Sequence, residues 1–302
     1  MSRPAGWAVT ATATAAALLV AALALAPAAA VAAARPTTQH LRWLVKSNDL
    51  VLLQKQAAKD GRALPLFTWV GCGGRSDPDA CMSGQDPIFT NYWPLKARAQ
   101  AKWTGTAIFD IEEWRKTPTE QRLHPRAWIC RAARLQRADR GLKVIITPYD
   151  KPAQLMVSED VAAAKCGAYG VDIQSQFING YPKRLAKFIH SAVAAIRKAN
   201  KRIIILAGLA TNNPHVETAG LLAADYHAAL ANGVQGFWLN ANDWQGENHC
   251  KAAQGGAGCP QIGVKFLADI GMTRMPVQQE LLAVSPNAGL GPGLRAMVTP
   301  PW

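Results

Sequence analysis

No acidic residue occurs before Asp49, and the opening residues carry a single positive charge, Arg3. What fills that stretch is small and apolar, from about Ala11 to Ala26, followed by Pro27 and Ala28, Ala29 and Ala30. A charged start, a short apolar middle and an Ala-x-Ala end predict a secretory signal over residues 1–34, cleaved near 30–34. Arg3 has no neighbouring arginine, so the twin-arginine route is not indicated. The run is nearly long enough for a membrane anchor, but alanine is weakly hydrophobic, and cleavage is the expectation. Nothing later in the sequence reads as a transmembrane helix, so no stable membrane insertion of the mature chain is expected.

Several motifs are absent, and each absence excludes a chemistry. No Cys-x-x-Cys pair and no histidine cluster is present, which removes a structural zinc site. His-Glu-x-x-His is missing, as is the Gly-x-Ser-x-Gly elbow of a serine hydrolase. No Gly-x-Gly-x-x-Gly turn follows a strand-like run, which weighs against a dinucleotide fold. The loop Gly71-Cys-Gly-Gly-Arg75 lacks the Lys-Ser/Thr ending of a phosphate loop. The net charge is +13, yet the basic residues are spread over helical stretches without a dense tract. Nucleic acid is therefore not the expected partner. Neither a cofactor nor a metal is called for, and oligomeric state is not legible.

Six cysteines, all beyond the leader, fit an oxidising compartment and hence a secreted, extracellular protein. Cys72 and Cys81 flank one short loop, and Cys250 and Cys259 flank another. Neighbour pairing would leave Cys130 and Cys166 to tie two βα units together, one of several connectivities that six cysteines allow.

Short apolar runs alternate with amphipathic helical stretches over residues 35–274. Strand-like runs are Leu64–Val70, Thr106–Glu112, Lys143–Tyr149, Val171–Phe177, Arg202–Leu209 and Val234–Asn240, with a weaker one at Leu41–Val45. Helices are expected from Pro125 to a stop at Gly141, over Pro182–Ala199, and over Val216–Asn232. This alternation predicts an α/β fold, a single-domain TIM-like βα barrel, closed as the first choice, with an incomplete or decorated form left open. With the eighth strand not found, an open doubly wound sheet is the alternative. Residues 71–102 read as an elaborate loop, and 275–302 as a Pro/Gly-rich tail.

In such a barrel the working groups stand at the carboxyl ends of strands. Those ends here supply Asp110, Glu112 and Glu113, then Tyr149 and Asp150, then Gln174 and Gln176, then Asn240 and Asp243. Side chains alternate along a strand, so Asp110 and Glu112 share a face about 6.5–7 Å apart at Cα. Two carboxyls in one confined site cannot both ionise freely, and one is held protonated. That combination suits cleavage of a glycosidic bond. Trp114 and Trp238 add flat apolar faces that fit a sugar ring, and Trp69, Trp93 and Trp244 also fall at strand ends or just after them.

The segment Ala107-Ile-Phe-Asp-Ile-Glu-Glu-Trp114 resembles the Asp-x-Glu strand end of the chitinase-like group of secreted TIM-barrel glycoside hydrolases. The resemblance implies that Glu112 protonates the leaving oxygen and that Asp110 positions a substrate acetamido group acting as nucleophile. Where the longer chitinase motif has further aspartates, Gly105, Thr106, Ala107 and Ile108 stand here. A two-carboxylate mechanism, with Asp150 or Asp243 as the second group, is the alternative. The expected activity is hydrolysis of a polysaccharide or cell-wall glycan. Two further readings stay open: a non-catalytic polysaccharide-binding barrel, and a metal-dependent phosphodiesterase using Asp110, Glu112 and Asp150 as ligands.

Overall fold

The computed structural model describes residues 41–73, 81, 84–112, 116–149, 153–213, 215–241 and 259–274. Eight strands run in chain order around a closed, all-parallel barrel: β1 (Arg42–Lys46), β2 (Trp69–Gly73), β3 (Asp86–Phe89), β4 (Gly105–Glu112), β5 (Leu142–Tyr149), β6 (Gly170–Ile173), β7 (Ile204–Ala210) and β8 (Gly236–Asn240). Pairing of β1 with β8, Leu44 opposite Trp238, closes the ring. The TIM-like barrel is therefore complete, and the open sheet is excluded.

Helices jacket the strands: α1 (Ser47–Lys59), α2 (Tyr92–Gln100), α3 (Thr119–Leu123), α4 (Pro125–Ala138), α5 (Ala153–Cys166), α6 (Pro182–Ala199), α7 (Ala219–Ala231) and α8 (Cys259–Asp269). Strand periodicity of two divides the apolar side chains into two layers. Odd-numbered residues of β4, Ala107, Phe109 and Ile111, face the helices together with Val144, Ile146, Val171, Ile173, Ile205 and Phe237. Even-numbered Ile108 belongs instead to a second cluster with Leu44, Trp69, Ile88, Ile145, Ile204, Leu206 and Trp238. This second cluster plugs the barrel interior, so the barrel is a packed core rather than a channel.

The missing strand of the sequence reading is β3, which lies inside the segment taken as loop. It has only four residues and includes Pro87, which lacks a backbone donor and normally argues against an interior strand. Asp86 ties it to β2 by accepting from the Val70 N–H at 3.2 Å. The expected strand over Leu64–Val70 is displaced to Trp69–Gly73. Residues 64–68 are not extended into the sheet, and Leu66 is 98 % exposed. Among the described residues no helix separates β2 from β3.

Two disulfides join Cys72 to Cys81 and Cys130 to Cys166, as neighbour pairing expects. The second links α4 to the end of α5 across adjacent βα units. Cys250 lies outside the described residues, as does the side chain of Cys259. No helix among the described residues is long and apolar enough to cross a membrane.

Candidate active site

Two residues beyond the apolar plug, the same strands turn polar. Leu44 is followed by Lys46, Ile108 by Asp110 and then Glu112, Ile145 by Thr147, and Trp238 by Asn240. On β6, Asp172 follows Gly170, which pairs with Ile145 and Ile204 of the plug. The barrel mouth is therefore lined by three carboxyl groups, one ammonium, a hydroxyl and an amide. On these five strands the sequence does this simply by placing polar residues at the end of the two-residue alternation.

Asp110 is 1 % exposed. The Thr147 hydroxyl, directly opposite it on β5, donates to its Oδ1 at 2.8 Å. Glu112 is half-buried one pleat further out, and its backbone N–H donates to the buried Thr117 hydroxyl at 3.3 Å. Burial, the Asp110 charge and a carboxyl hydrogen bond to Asp110 push Glu112 up to about 9, against the opposing pull of Lys46 and Lys116. Asp172 is pushed up to about 8 by burial first and by the Asp110 charge second, with Lys46 again opposing. Neither oxygen of Asp172 has a hydrogen-bond partner among the described residues. Behind it on α5, Asp160 is fully buried and raised well above the carboxylate range by burial, Asp172 and Glu159. At neutral pH the mouth therefore holds protons on Glu112 and Asp172.

Lys46 was not among the residues expected at the site. Its Nζ lies 5.0 Å from the Trp238 ring centroid, and its charge acts on both Glu112 and Asp172. Extending the strand-end reading by one residue beyond Leu41–Val45 reaches it. Thr147 was also passed over, although it lies two residues before the expected Tyr149 on the same strand.

The run Asp172, Gln174, Gln176 does not continue as one strand face. β6 stops at Ile173, the Ser175 N–H donates back to the Ile173 carbonyl at 2.6 Å, and a 3₁₀ turn covers Gln176–Ile178. Gln174 stays buried, and the Gln176 amide donates to its carbonyl oxygen. Gln176 lies over Gly208 of β7, where an added Cβ would collide with its carboxamide. Trp238 is 2 % exposed and forms part of the plug beneath the mouth, while Asn240 is half-buried at the end of β8. Tyr149 stands opposite Glu112 in register. Its side chain, and the residues Glu113, Trp114, Asp150, Asp243 and Trp244, lie outside the described residues. Among the described residues no three His, Cys, Asp or Glu side chains are grouped to hold a metal ion.

Gln121, another residue the sequence reading missed, stitches the rim. It is fully buried, its amide donates to Asn91 Oδ1 at 2.8 Å, and its carbonyl oxygen accepts from the Tyr92 N–H at 3.0 Å. The loop after β3 is thereby fixed to the loop after β4.

No family model matches this chain, and no curated protein matches it in sequence. Solved structures do resemble it. The carboxyl transferase domain of Rhizobium etli pyruvate carboxylase with pyruvate is 14 % identical, with a TM-score of 0.41 over 76 % of this chain and 47 % of that one. An endo-1,4-beta-mannanase from Eisenia fetida is 12 % identical, with a TM-score of 0.30 over 55 % of this chain and 63 % of that one. The chain thus spans about half the length of the carboxyl transferase chain it matches.

Proposed function

We propose that this protein is an exported glycan hydrolase in which Glu112 is the general acid. The reading is carried by the placement of Glu112 one pleat beyond Asp110 at the mouth of a closed βα barrel, where burial and the Asp110 charge push its carboxyl up. A carboxyl raised to about 9 keeps its proton at neutral pH and can deliver it to a departing glycosidic oxygen. Asp110, held by Thr147, supplies negative charge beneath that position. It can orient a substrate acetamido group or stabilise the cationic sugar that forms as the bond breaks. Gln174, Gln176 and Asn240 offer amide donors and acceptors to sugar hydroxyls. The net charge of +13 suits an anionic wall polymer as the surrounding matrix. Export is supported by the residue 1–34 pattern and by two disulfides, bonds that an oxidising compartment sustains.

The test is reducing-end release by the purified protein from chitin, peptidoglycan, mannan and α- and β-glucans, run beside Glu112→Gln. Release from one polymer that disappears in the variant supports the hydrolase. Binding to a polymer without release from any would favour a non-catalytic glycan-binding barrel instead.

A further inference from the structure

At the rim, next to the end of β4, one large aromatic side chain is fixed in place yet left open to solvent. Trp93 occupies the first turn of α2 and is 49 % exposed. Its backbone N–H donates to the Asn91 side chain at 3.1 Å, and its indole Nε1 donates to Glu120 Oε1 at 3.4 Å. Tyr92 and Trp128 pack edge-on against it, with centroids 5.3 and 5.6 Å away. Lys96, one turn along the same helix, places its ammonium over the ring, 5.4 Å from the centroid. The indole is thus held by two near-perpendicular rings, by a cation over it and by its N–H.

Its location follows from the sheet. Phe89 pairs with Phe109, so the chain leaving β3 enters α2 beside the last residues of β4, which end at Glu112. The two loops are bonded together there: Gln121 to Asn91 as described, and the Thr90 hydroxyl to the Lys116 carbonyl at 3.4 Å. The segment that carries Trp93 is therefore bonded to residues that follow β4 in the chain. An indole needs no such bracing for core packing when half of it is in water. A pre-oriented, half-exposed indole instead lowers the entropy lost when a flat apolar surface settles on it.

We propose that Trp93 is the platform of a sugar-binding subsite, taking the apolar face of one pyranose ring of a chain that continues to Glu112. This rests on the hydrolase reading for the chain's path but concerns binding alone. The sugar hydroxyls would meet Glu120, which accepts from the indole N–H, and the Lys96 ammonium, which stands over the ring and would swing aside to donate to them.

The probes are β-1,4-linked oligosaccharides of N-acetylglucosamine, mannose and glucose, two to six units long, titrated into the Glu112→Gln protein with and without Trp93→Ala. With Trp93 present, affinity for at least one series should climb with length. Trp93→Ala should reduce that climb about tenfold, and Trp93→Phe should restore most of it. In the wild-type protein the longest binding oligosaccharide should shield Trp93 from oxidation by N-bromosuccinimide, read by peptide mapping, which needs no variant to fold. An unchanged length dependence in Trp93→Ala, unshielded oxidation, or no binding in any series overturns the platform. Loss of binding in Trp93→Ala with no hydrolysis anywhere would leave the platform standing and remove the hydrolase. Hydrolysis with an unaltered length dependence would do the reverse.

Discussion

The hydroxyl of Thr147 donates to the carboxylate of Asp110 at 2.8 Å, between side chains directly paired across β4 and β5. Both groups are buried, so the bond satisfies an acceptor that is shut off from solvent. Thr147→Val keeps the shape but removes the donor. Asp110 would then lose the bond that orients it beside Glu112, and glycan release should fall about tenfold. Leaving a buried acceptor short of a partner costs about 1–3 kcal/mol. A melting temperature lower by about 3–6 °C, beside the slower release, would be the expected pair of readings.

Replacing Glu112 by Gln keeps the volume and a hydrogen-bond donor toward Asp110 but has no proton to give. Turnover should drop by about a hundred- to ten-thousandfold. Stability should not drop with it. The folded protein holds a proton on Glu112 up to about pH 9, whereas the unfolded chain releases it near 4.5. Between those values the native group is a burden that the amide does not carry. A variant that melts well below the wild type at neutral pH would indicate a structural role.

Asp172 gives a cleaner linkage experiment. Its folded value is raised to about 8 from 3.8, so its contribution is greatest below pH 3.8 and is lost as pH rises toward 8. Asp172→Asn should therefore match the wild type in strongly acidic buffer and melt at a higher temperature around pH 8. Thermal scans across that interval check both the sign and the window. A difference that does not grow with pH would mean the carboxyl is not held protonated.

Lys46 opposes proton binding at Glu112 and Asp172 together. In Lys46→Met both groups should keep their protons to higher pH, and the alkaline limb of the activity profile should move upward. Loss of the ammonium 5.0 Å from the Trp238 centroid should also alter tryptophan emission. An unmoved alkaline limb would detach Lys46 from the ionisation of the site.

Gly208→Ala tests the turn after β6. The new Cβ would strike the Gln176 carboxamide and press against the Ser175 backbone nitrogen at 3.3 Å. Overpacking of this kind costs about 1–3 kcal/mol. Oligosaccharide affinity should weaken as Gln176 is displaced, which calorimetry can read beside the melting curve.

The barrel was legible where patterns are long. β4 and β5 each have eight residues with unbroken alternation, and the inner face of β4 leads directly to Asp110 and Glu112, while Thr147 on β5 was passed over. Pro182 marks the start of α6, and the apolar stripe through Leu185, Ile189, Ala192 and Ile196 is buried as its spacing requires. Legibility failed where tertiary contacts override a short pattern. Four residues containing Pro87 do not announce a strand, and β3 exists because β2 and β4 stand on either side of it. The alternation at Asp172, Gln174 and Gln176 looks extended on paper, but the Ser175 hydroxyl donates to the Gly208 carbonyl at 2.8 Å and holds a turn there. Such a bond depends on a neighbour 33 residues away. Lys46 was obscure for a different reason: a single cation between a strand and a helix has no periodicity, and only ring closure brings it to the carboxyls.

Ring closure has a consequence for when the molecule can become itself. β1 finds its second neighbour only in β8, with Arg42 opposite Gly236, so one side of the first strand stays unpaired until nearly the whole barrel sequence is present. A partial chain carries two open sheet edges and an exposed Trp43, which in the finished barrel sits against Tyr226 and Phe237. Pairing so distant in sequence is slow to form, because the loop-closure entropy is lost before the contact is gained. A chain interrupted before β8 is therefore an adhesive intermediate rather than a smaller version of the protein.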